Sequence, residues 1–540
     1  MNPTNNLVNP LLTDLYQVTM AYAYWKNGMQ DDEAVFDLFF RNCPFDGEFA
    51  LFSGLEESVK FLGSYRFTDE HIAYLRSMPA LKDCDQKFFE WLKTVDCSRV
   101  RLYALREGSL AFPRVPLMRV EGPLGITQLL ETTLLNLTNY PSLEATNAAR
   151  FRIAADPDKT LLEFGLRRAQ GPDGAISASR ASYIGGFDGT SNVLAGALFG
   201  LPVKGTHAHA YVSSFASKKF ENIKNRFISD AVTGKPYNFV DLVRESHRRV
   251  CGIFGLSGTN EGELAAFTAY ALAFPRGFLA LVDTYDTLRS GVPNFLAVAW
   301  ALYVLGYQPI GIRLDSGDLA YLSKESRRMF GEAATGLASV NFAEHLVIAA
   351  SNDITEETLY ALKEQGHQIN IFGVGTHLVT CQKQPALGCV YKLVEMNGEP
   401  CIKLSQDPEK MTIPGRKEAY RLLDTRGAPI TDLLIRVGEK PPEAGARVLC
   451  RHPFNEIKRM YVTPSRVIPL HELVWGGVLT MPNLPDLDAI RTYAKEQIGM
   501  LREDHVRQLN PTPYKVSVSD GLYHFLHELR EREAPITEVR

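Results

Sequence analysis

From residue 160 onward the chain repeats one rhythm: a short apolar run, a polar cluster at its end, then a helical pattern. The runs are TLLEFG (160–165), PVKG (202–205), GFLALVD (277–283), PIGIRLD (309–315), HLVIAAS (345–351) and INIFGVG (369–375), with helices expected at 319–330 and 356–364. Strands that alternate with helices in this way pair in parallel, because each crossover brings the chain back in the same direction. The predicted class is therefore α/β, with the sheet either open or closed into a barrel; periodicity does not choose between the two.

The flanks read differently. Residues 15–25 form an amphipathic pattern after a Thr13-Asp14 cap signal, AVFDLFF (34–40) reads as a strand, 52–101 as largely helical, and 102–105 and 116–120 as short strands. The apolar-periodic segment 126–151 predicts a buried helix broken near Pro141, since proline cannot donate to the preceding turn. A first domain boundary falls at about 150. Beyond Thr376 the rhythm stops, Asn397-Gly398 between two apolar runs signals a hairpin, and a closing helix is expected near 521–531.

A chain of 540 residues exceeds what one core can organise, so two or three domains are expected. Its 58 Lys and Arg against 62 Asp and Glu give a net charge of -4, which offers no basic surface for nucleic acid and makes a small molecule the expected partner. Eight scattered cysteines without a CxxC pair fit thiols kept reduced in a cytosol and argue against structural zinc. The start MNPTNNLVNP lacks a signal-peptide pattern and no stretch offers 18 uncharged apolar residues, so the expected location is cytoplasmic, away from membranes.

Parallel α/β folds bind ligands at the carboxyl ends of strands, so the residues that end each run are the functional candidates. They are Arg167-Arg168, Gly205 to His209, Asp283 to Asp286, Arg313 to Asp318, Ser351 to Asp353 and Gly373 to Thr376. FGVGT (372–376) reads as a plain turn or as a phosphate cradle of bare N–H groups; its place after the last strand favours the cradle. Arg313, Asp315 and Asp318 can hold an anion together with a Mg2+-bridged diphosphate, or form a surface ion-pair cluster, with Ser316-Gly317 opening a helix. DTYD (283–286) has the same two readings, but Thr287-Leu288-Arg289 lacks the Thr-Gly-Thr-like loop of one class of phosphoribosyl binders.

His207 and His209, as an HxH pair at a strand end, would share one face. Metal-dependent hydrolysis needs further His ligands at later strand ends, where Asp, Arg, Asn and Gly stand instead, so no metal ligand is assigned. One of the pair can attack phosphorus, and the other can be a buried structural histidine. Tyr16, Tyr24, Phe164 and Tyr183 can each stack on a flat ring or simply fill core. No Walker A pattern and no GxGxxG occur, so any ATP is not held by a P-loop.

Eight motifs in order, TDLYQ (13–17), GPLGITQLLETTLLN (122–136), EFGLRRAQGPDG (163–174), GGFDGTSNVLAG (185–196), GTHAH (205–209), RLDSGDL (313–319), FGVGT (372–376) and KLSQDPEKMTIPG (403–415), resemble nicotinate phosphoribosyltransferases over nearly the whole chain. The resemblance implies an irregular α/β barrel at 151–378, an α+β open sandwich built from 1–150 and a return segment 379–450, and a C-terminal part at 451–540. It implies a head-to-tail homodimer with shared active sites. Such an enzyme joins nicotinate to 5-phosphoribosyl 1-diphosphate, releases nicotinate mononucleotide and diphosphate, hydrolyses ATP in support, and uses Mg2+ or Mn2+.

By the same resemblance Tyr16 stacks on the pyridine ring from the neighbouring subunit, Thr206 and Arg313 contact nicotinate, and Arg167 lies beside the ring and its carboxylate. His209 matches the histidine that ATP phosphorylates. Asn352, Gly375 and Thr376 match positions that hold the donor's ribose and 5-phosphate, with Asp283, Asp315 and Gly373 completing the donor set; His209, Arg313 and Arg167 form the catalytic group. His207 and Ala210 stand where relatives often carry an apolar residue and a serine, so a serine contact is lost or replaced here. The rivals are a nicotinamide or quinolinate enzyme, or a barrel that senses metabolites without catalysis. A carboxylate on the acceptor explains cations beside the ring, which favours nicotinate.

Overall fold

The computed structural model describes residues 2–405, 410–480 and 484–534, so the middle of the KLSQDPEKMTIPG motif lies outside the described residues. The chain forms two compact units, one of residues 150–179 and 187–380 and the other of 1–149, 180–186 and 381–540.

In the first unit six strands run parallel. Across the sheet the order is Leu279–Leu281, Gly311–Leu314, Val347–Ala350, Ile371–Val374, Thr160–Glu163 and Gly189–Thr190, and Thr190 bridges onward to Val203, also in parallel. The last strand of the series pairs with the first, from Ile371 opposite Thr160 to Val374 opposite Glu163. The circuit therefore follows chain order, as in an α/β barrel. Its seam falls between Val203 and Leu279, where the Leu281 N–H reaches His207 Nε2 at 3.5 Å. The run at 202–205 supplies one bridge and no strand, since Pro202 has no N–H to donate to a ladder.

The strands are continuous apolar runs because both of their faces are buried. Ala280, Leu281, Ile312, Leu314, Ile348, Ala350, Phe372 and Val374 are all buried. Helix Val292–Tyr303 is buried from Val292 to Leu302 with Asn294 as its polar member, and helices Leu319–Gly336 and Glu356–Glu364 form where the sequence places them.

The other unit is α+β. Glu33–Phe39 pairs antiparallel with both Met118–Pro123 and Val390–Met396, so chain from before and after the parallel strands builds one sheet. The hairpin at Asn397-Gly398 forms, with both residues at positive φ. A second sheet joins Lys417–Leu423, Pro429–Arg436, Val448–His452, Asn455–Val462, Arg466–Pro469 and Val516–Ser519. The division expected at 450 thus falls inside strand Val448–His452, in a sheet whose strands come from both sides of that position. The break expected at Pro141 is also absent: Glu131–Ala154 is one helix. The Leu137 carbonyl, which Pro141 cannot serve, packs against Gly54, where a Cβ would stand 1.9 Å from that oxygen. No helix among the described residues is long and apolar enough to cross a membrane.

Candidate active site

Tyr16 belongs to the α+β unit, on helix Leu15–Lys26, exposed and with its hydroxyl donating to Glu131 Oε1 at 3.3 Å. Tyr24 and Tyr183 belong to the same unit. Every remaining candidate belongs to the parallel-strand unit, where the ends of three neighbouring strands interlock. The register sets Leu281, Arg313 and Ala349 side by side, so the residues just beyond them meet. Asp283 Oδ2 accepts from the Asp315 N–H at 2.9 Å and from the Ser316 hydroxyl at 2.5 Å, while its Oδ1 is buried without a hydrogen-bond partner. Asp315 in turn accepts from the Ser351 hydroxyl at 2.7 Å.

His209 lies against this pair. Its Nε2 is 3.6 Å from Asp315 Oδ2 and 4.0 Å from Asp283 Oδ1, and its Nδ1 meets the Thr284 hydroxyl at 3.1 Å. The expectation that His207 and His209 share a strand face fails. No strand runs through 204–208 and a helix, His209–Ser213, begins at the second histidine, so alternation has nothing to act on. His207 instead packs on Tyr270 and Tyr211, with ring centroids 4.8 and 5.4 Å away. Burial, aided by the Arg313 charge, pushes its imidazole down to about 4, so it is neutral at physiological pH.

The backbone carbonyl of His207 holds Arg313, whose Nη2 donates to it at 3.0 Å while Nη1 reaches the Thr206 hydroxyl at 3.5 Å. Burial lowers the Arg313 guanidinium below its ordinary value; Asp315 and Asp283 oppose that shift and the charge of Arg167 adds to it. Arg167, on the exposed turn Leu166–Arg168, is therefore within electrostatic reach of Arg313. At the last strand, Gly373 has no room for a side chain, since a Cβ would stand 2.4 Å from the Phe164 ring. Gly375 precedes the turn Thr376–Val379, and Arg168 Nη1 donates to the Thr376 hydroxyl at 3.1 Å. Asn352 is half-buried in the turn after Val347–Ala350, beside Asp353 at φ 41.

Two assignments within RLDSGDL change. Asp318 caps helix Leu319–Gly336 by accepting from the Tyr321 N–H at 2.9 Å, and Ser316 serves Asp283 and not a helix start. The carboxylate pair is thus Asp283 with Asp315. Among the described residues no group of three or more His, Cys, Asp or Glu is arranged to hold a metal ion. Thr284, Ser351 and Arg168 were legible only as members of polar clusters, and Tyr211 and Tyr270 not at all.

Strand-end loops that bring arginines, carboxylates and an imidazole to one rim of parallel strands define an α/β enzyme architecture for anionic substrates. Three family profiles match the chain: the nicotinate phosphoribosyltransferase (NAPRTase) N-terminal domain at 11–139, the NAPRTase family at 303–433, and the nicotinate phosphoribosyltransferase C-terminal domain at 416–526. Nicotinate phosphoribosyltransferase 2 of Arabidopsis thaliana is 54% identical, covering 100% of this chain and 97% of that protein. Nicotinate phosphoribosyltransferase of Homo sapiens is 48% identical over 97% of each chain. The crystal structure of human nicotinic acid phosphoribosyltransferase matches with a TM-score of 0.87 at 45% identity, covering 96% of this chain and 99% of that one. The chain belongs to the nicotinate phosphoribosyltransferase family.

Proposed function

We propose that the chain forms nicotinate mononucleotide and diphosphate from nicotinate and 5-phosphoribosyl 1-diphosphate, coupled to ATP hydrolysis through phosphorylated His209. The carrying observation is one cluster: Arg313 reaches Thr206 while His209 lies among Asp283, Asp315 and Thr284. Family membership supports the transfer, and the cluster supports the coupling.

As diphosphate departs from C1 of the ribose, oxocarbenium-like charge develops and the pyridine nitrogen attacks the opposite face. The protein's task is mainly positioning. Arg313 and Arg167 receive the nicotinate carboxylate through charge-assisted hydrogen bonds, and Thr206 orients it. Thr376 with Arg168, next to Gly373 and Gly375, receives the 5-phosphate; Asn352 and Asp315 are suited to ribose hydroxyls, and the buried Asp283 carboxylate holds Asp315 beside the donor by accepting from its N–H. The described residues build no metal cage of their own. Mg2+ or Mn2+, when bound, would supply charge neutralisation as the diphosphate departs. An imidazole nitrogen of His209 forms the N–P bond as the terminal P–O bond of ATP breaks and ADP leaves, and the two carboxylates stabilise the charge left on the ring.

The proposal includes a homodimer in which Tyr16 of one copy stacks on the nicotinate bound by the other, and a cytosolic setting that fits eight cysteines outside any disulfide. The test is labelled nicotinate, nicotinamide or quinolinate offered with the donor, Mg2+ and ATP; nicotinate should be the pyridine consumed. His209→Ala should abolish ATP stimulation and leave slow ATP-independent product formation. ATP coupling that survives in this variant rejects the phosphohistidine.

A further inference from the structure

Behind the Asp283 and His209 cluster lies a carboxyl group that the reaction above does not use. Glu263, in helix Glu261–Ala273, has no solvent exposure. Its Oε2 accepts from the Ser290 hydroxyl at 2.6 Å and from Asn294 Nδ2 at 2.9 Å, and its Oε1 is buried without a hydrogen-bond partner. The same donors tie back to the start of its own helix. The Asn260 N–H donates to the Ser290 hydroxyl at 3.0 Å, and Asn294 Nδ2 also reaches the Asn260 carbonyl at 3.1 Å.

Ser290 and Asn294 flank Gly291, where helix Val292–Tyr303 begins. A Cβ on Gly291 would stand 1.8 Å from the Val282 carbonyl oxygen, so this turn meets the strand end backbone to backbone. Val282 is the residue before Asp283. Asp286 closes the same turn, accepting from the Arg289 N–H at 2.8 Å and, through its carbonyl, from the N–H groups of Ser290 and Gly291 at 2.9 Å each. Glu263 therefore grips both sides of a turn that abuts the two residues facing His209.

We propose that Glu263 is a positioning residue, which through Ser290 and Asn294 sets the strand end that holds Asp283 and Thr284 against His209. The proposal rests on the role given to His209 above. The charged groups that face Glu263 are Asp283 and Asp286. Burial first, and these two charges after it, push its carboxyl up to about 7, against the hydrogen bonds from Ser290 and Asn294. Its part in the network is that of acceptor, which a glutamine oxygen can also play.

The test uses the full chain labelled with 15N-histidine, with the His209 ring signal assigned by its loss in His209→Ala. Glu263→Ala should displace that signal and lower kcat at least about tenfold while the nicotinate KM stays within about twofold. Glu263→Gln should return the signal to its wild-type position and recover turnover to within about threefold. Ser290→Ala, a smaller lesion that serves if Glu263→Ala does not fold, should move the signal in the same direction. A His209 signal unmoved in the folded alanine variant overturns the proposal, and so does Glu263→Gln behaving like Glu263→Ala. The resonance is read without substrate, so wild-type protein that makes no nicotinate mononucleotide would refute the functional reading separately.

Discussion

Glu263 makes the stability of the parallel-strand unit depend on pH in the direction opposite to that of an ion-paired carboxylate. An unperturbed glutamate titrates near 4.5, whereas burial raises this one to about 7. Between those values the folded unit keeps a proton that the unfolded chain has released, so folding is favoured by acid over this window. The contribution is complete below about 4.5, declines as pH rises and is lost above about 7. At about 1.4 kcal/mol per pH unit, the whole interval is worth about 3 kcal/mol. Glu263→Gln cannot ionise and should erase the slope. Hydrogen exchange of peptides from helix Val292–Tyr303, which carries Asn294, reads the local opening equilibrium once intrinsic rates are divided out. Between roughly pH 5 and pH 8 the wild-type opening constant should rise about 100-fold more than that of Glu263→Gln. Parallel profiles in the two proteins would refute the reasoning, because the carboxyl would then carry the same charge folded and unfolded.

Arg313→Ala should raise the nicotinate KM about 100-fold, since a partly buried charge-assisted pair is lost, with the ATP KM within about twofold; equal effects on both would remove Arg313 from the nicotinate site. Gly373→Ala should destabilise the unit by about 1–3 kcal/mol, because its Cβ would stand 2.4 Å from the Phe164 ring. In urea denaturation, Phe164→Ala on the same chain should recover part of that loss, and strict additivity of the two substitutions would deny the contact.

The parallel strands were legible because strands covered on both faces must be apolar throughout, so the polar residue that ends each run marks its carboxyl end. Asp283, Arg313 and Asp315 were found that way, and the structure brings them together. The seam was not legible: Gly189–Thr190 is too short to show a period, and the 202–205 run contributes one bridge. The HxH pair misled for a related reason, since alternation presupposes a strand and the chain there turns into a helix. Spacing groups Asp318 with Asp315 and places the helix start at Ser316-Gly317, because it does not show which side chain serves the unsatisfied N–H groups of a forming helix end; in the structure it is Asp318.

Glu263 shows where reading along the chain stops. Within EGELAAFTAYALA it resembles any solvated glutamate near a helix start. Its burial depends on Ser290 and Asn294, 27 and 31 residues further on, and neither of those signals a partner by its neighbours. Asn294 sits in a helix buried on every side, where its amide must find acceptors, and Gly291 brings that helix close enough to the strand end for Glu263 to supply one. A buried polar group is thus specified by closure among elements distant in sequence. The residues that set the geometry of a strand-end site can therefore lie behind it, on helices whose apolar texture gives no sign of them.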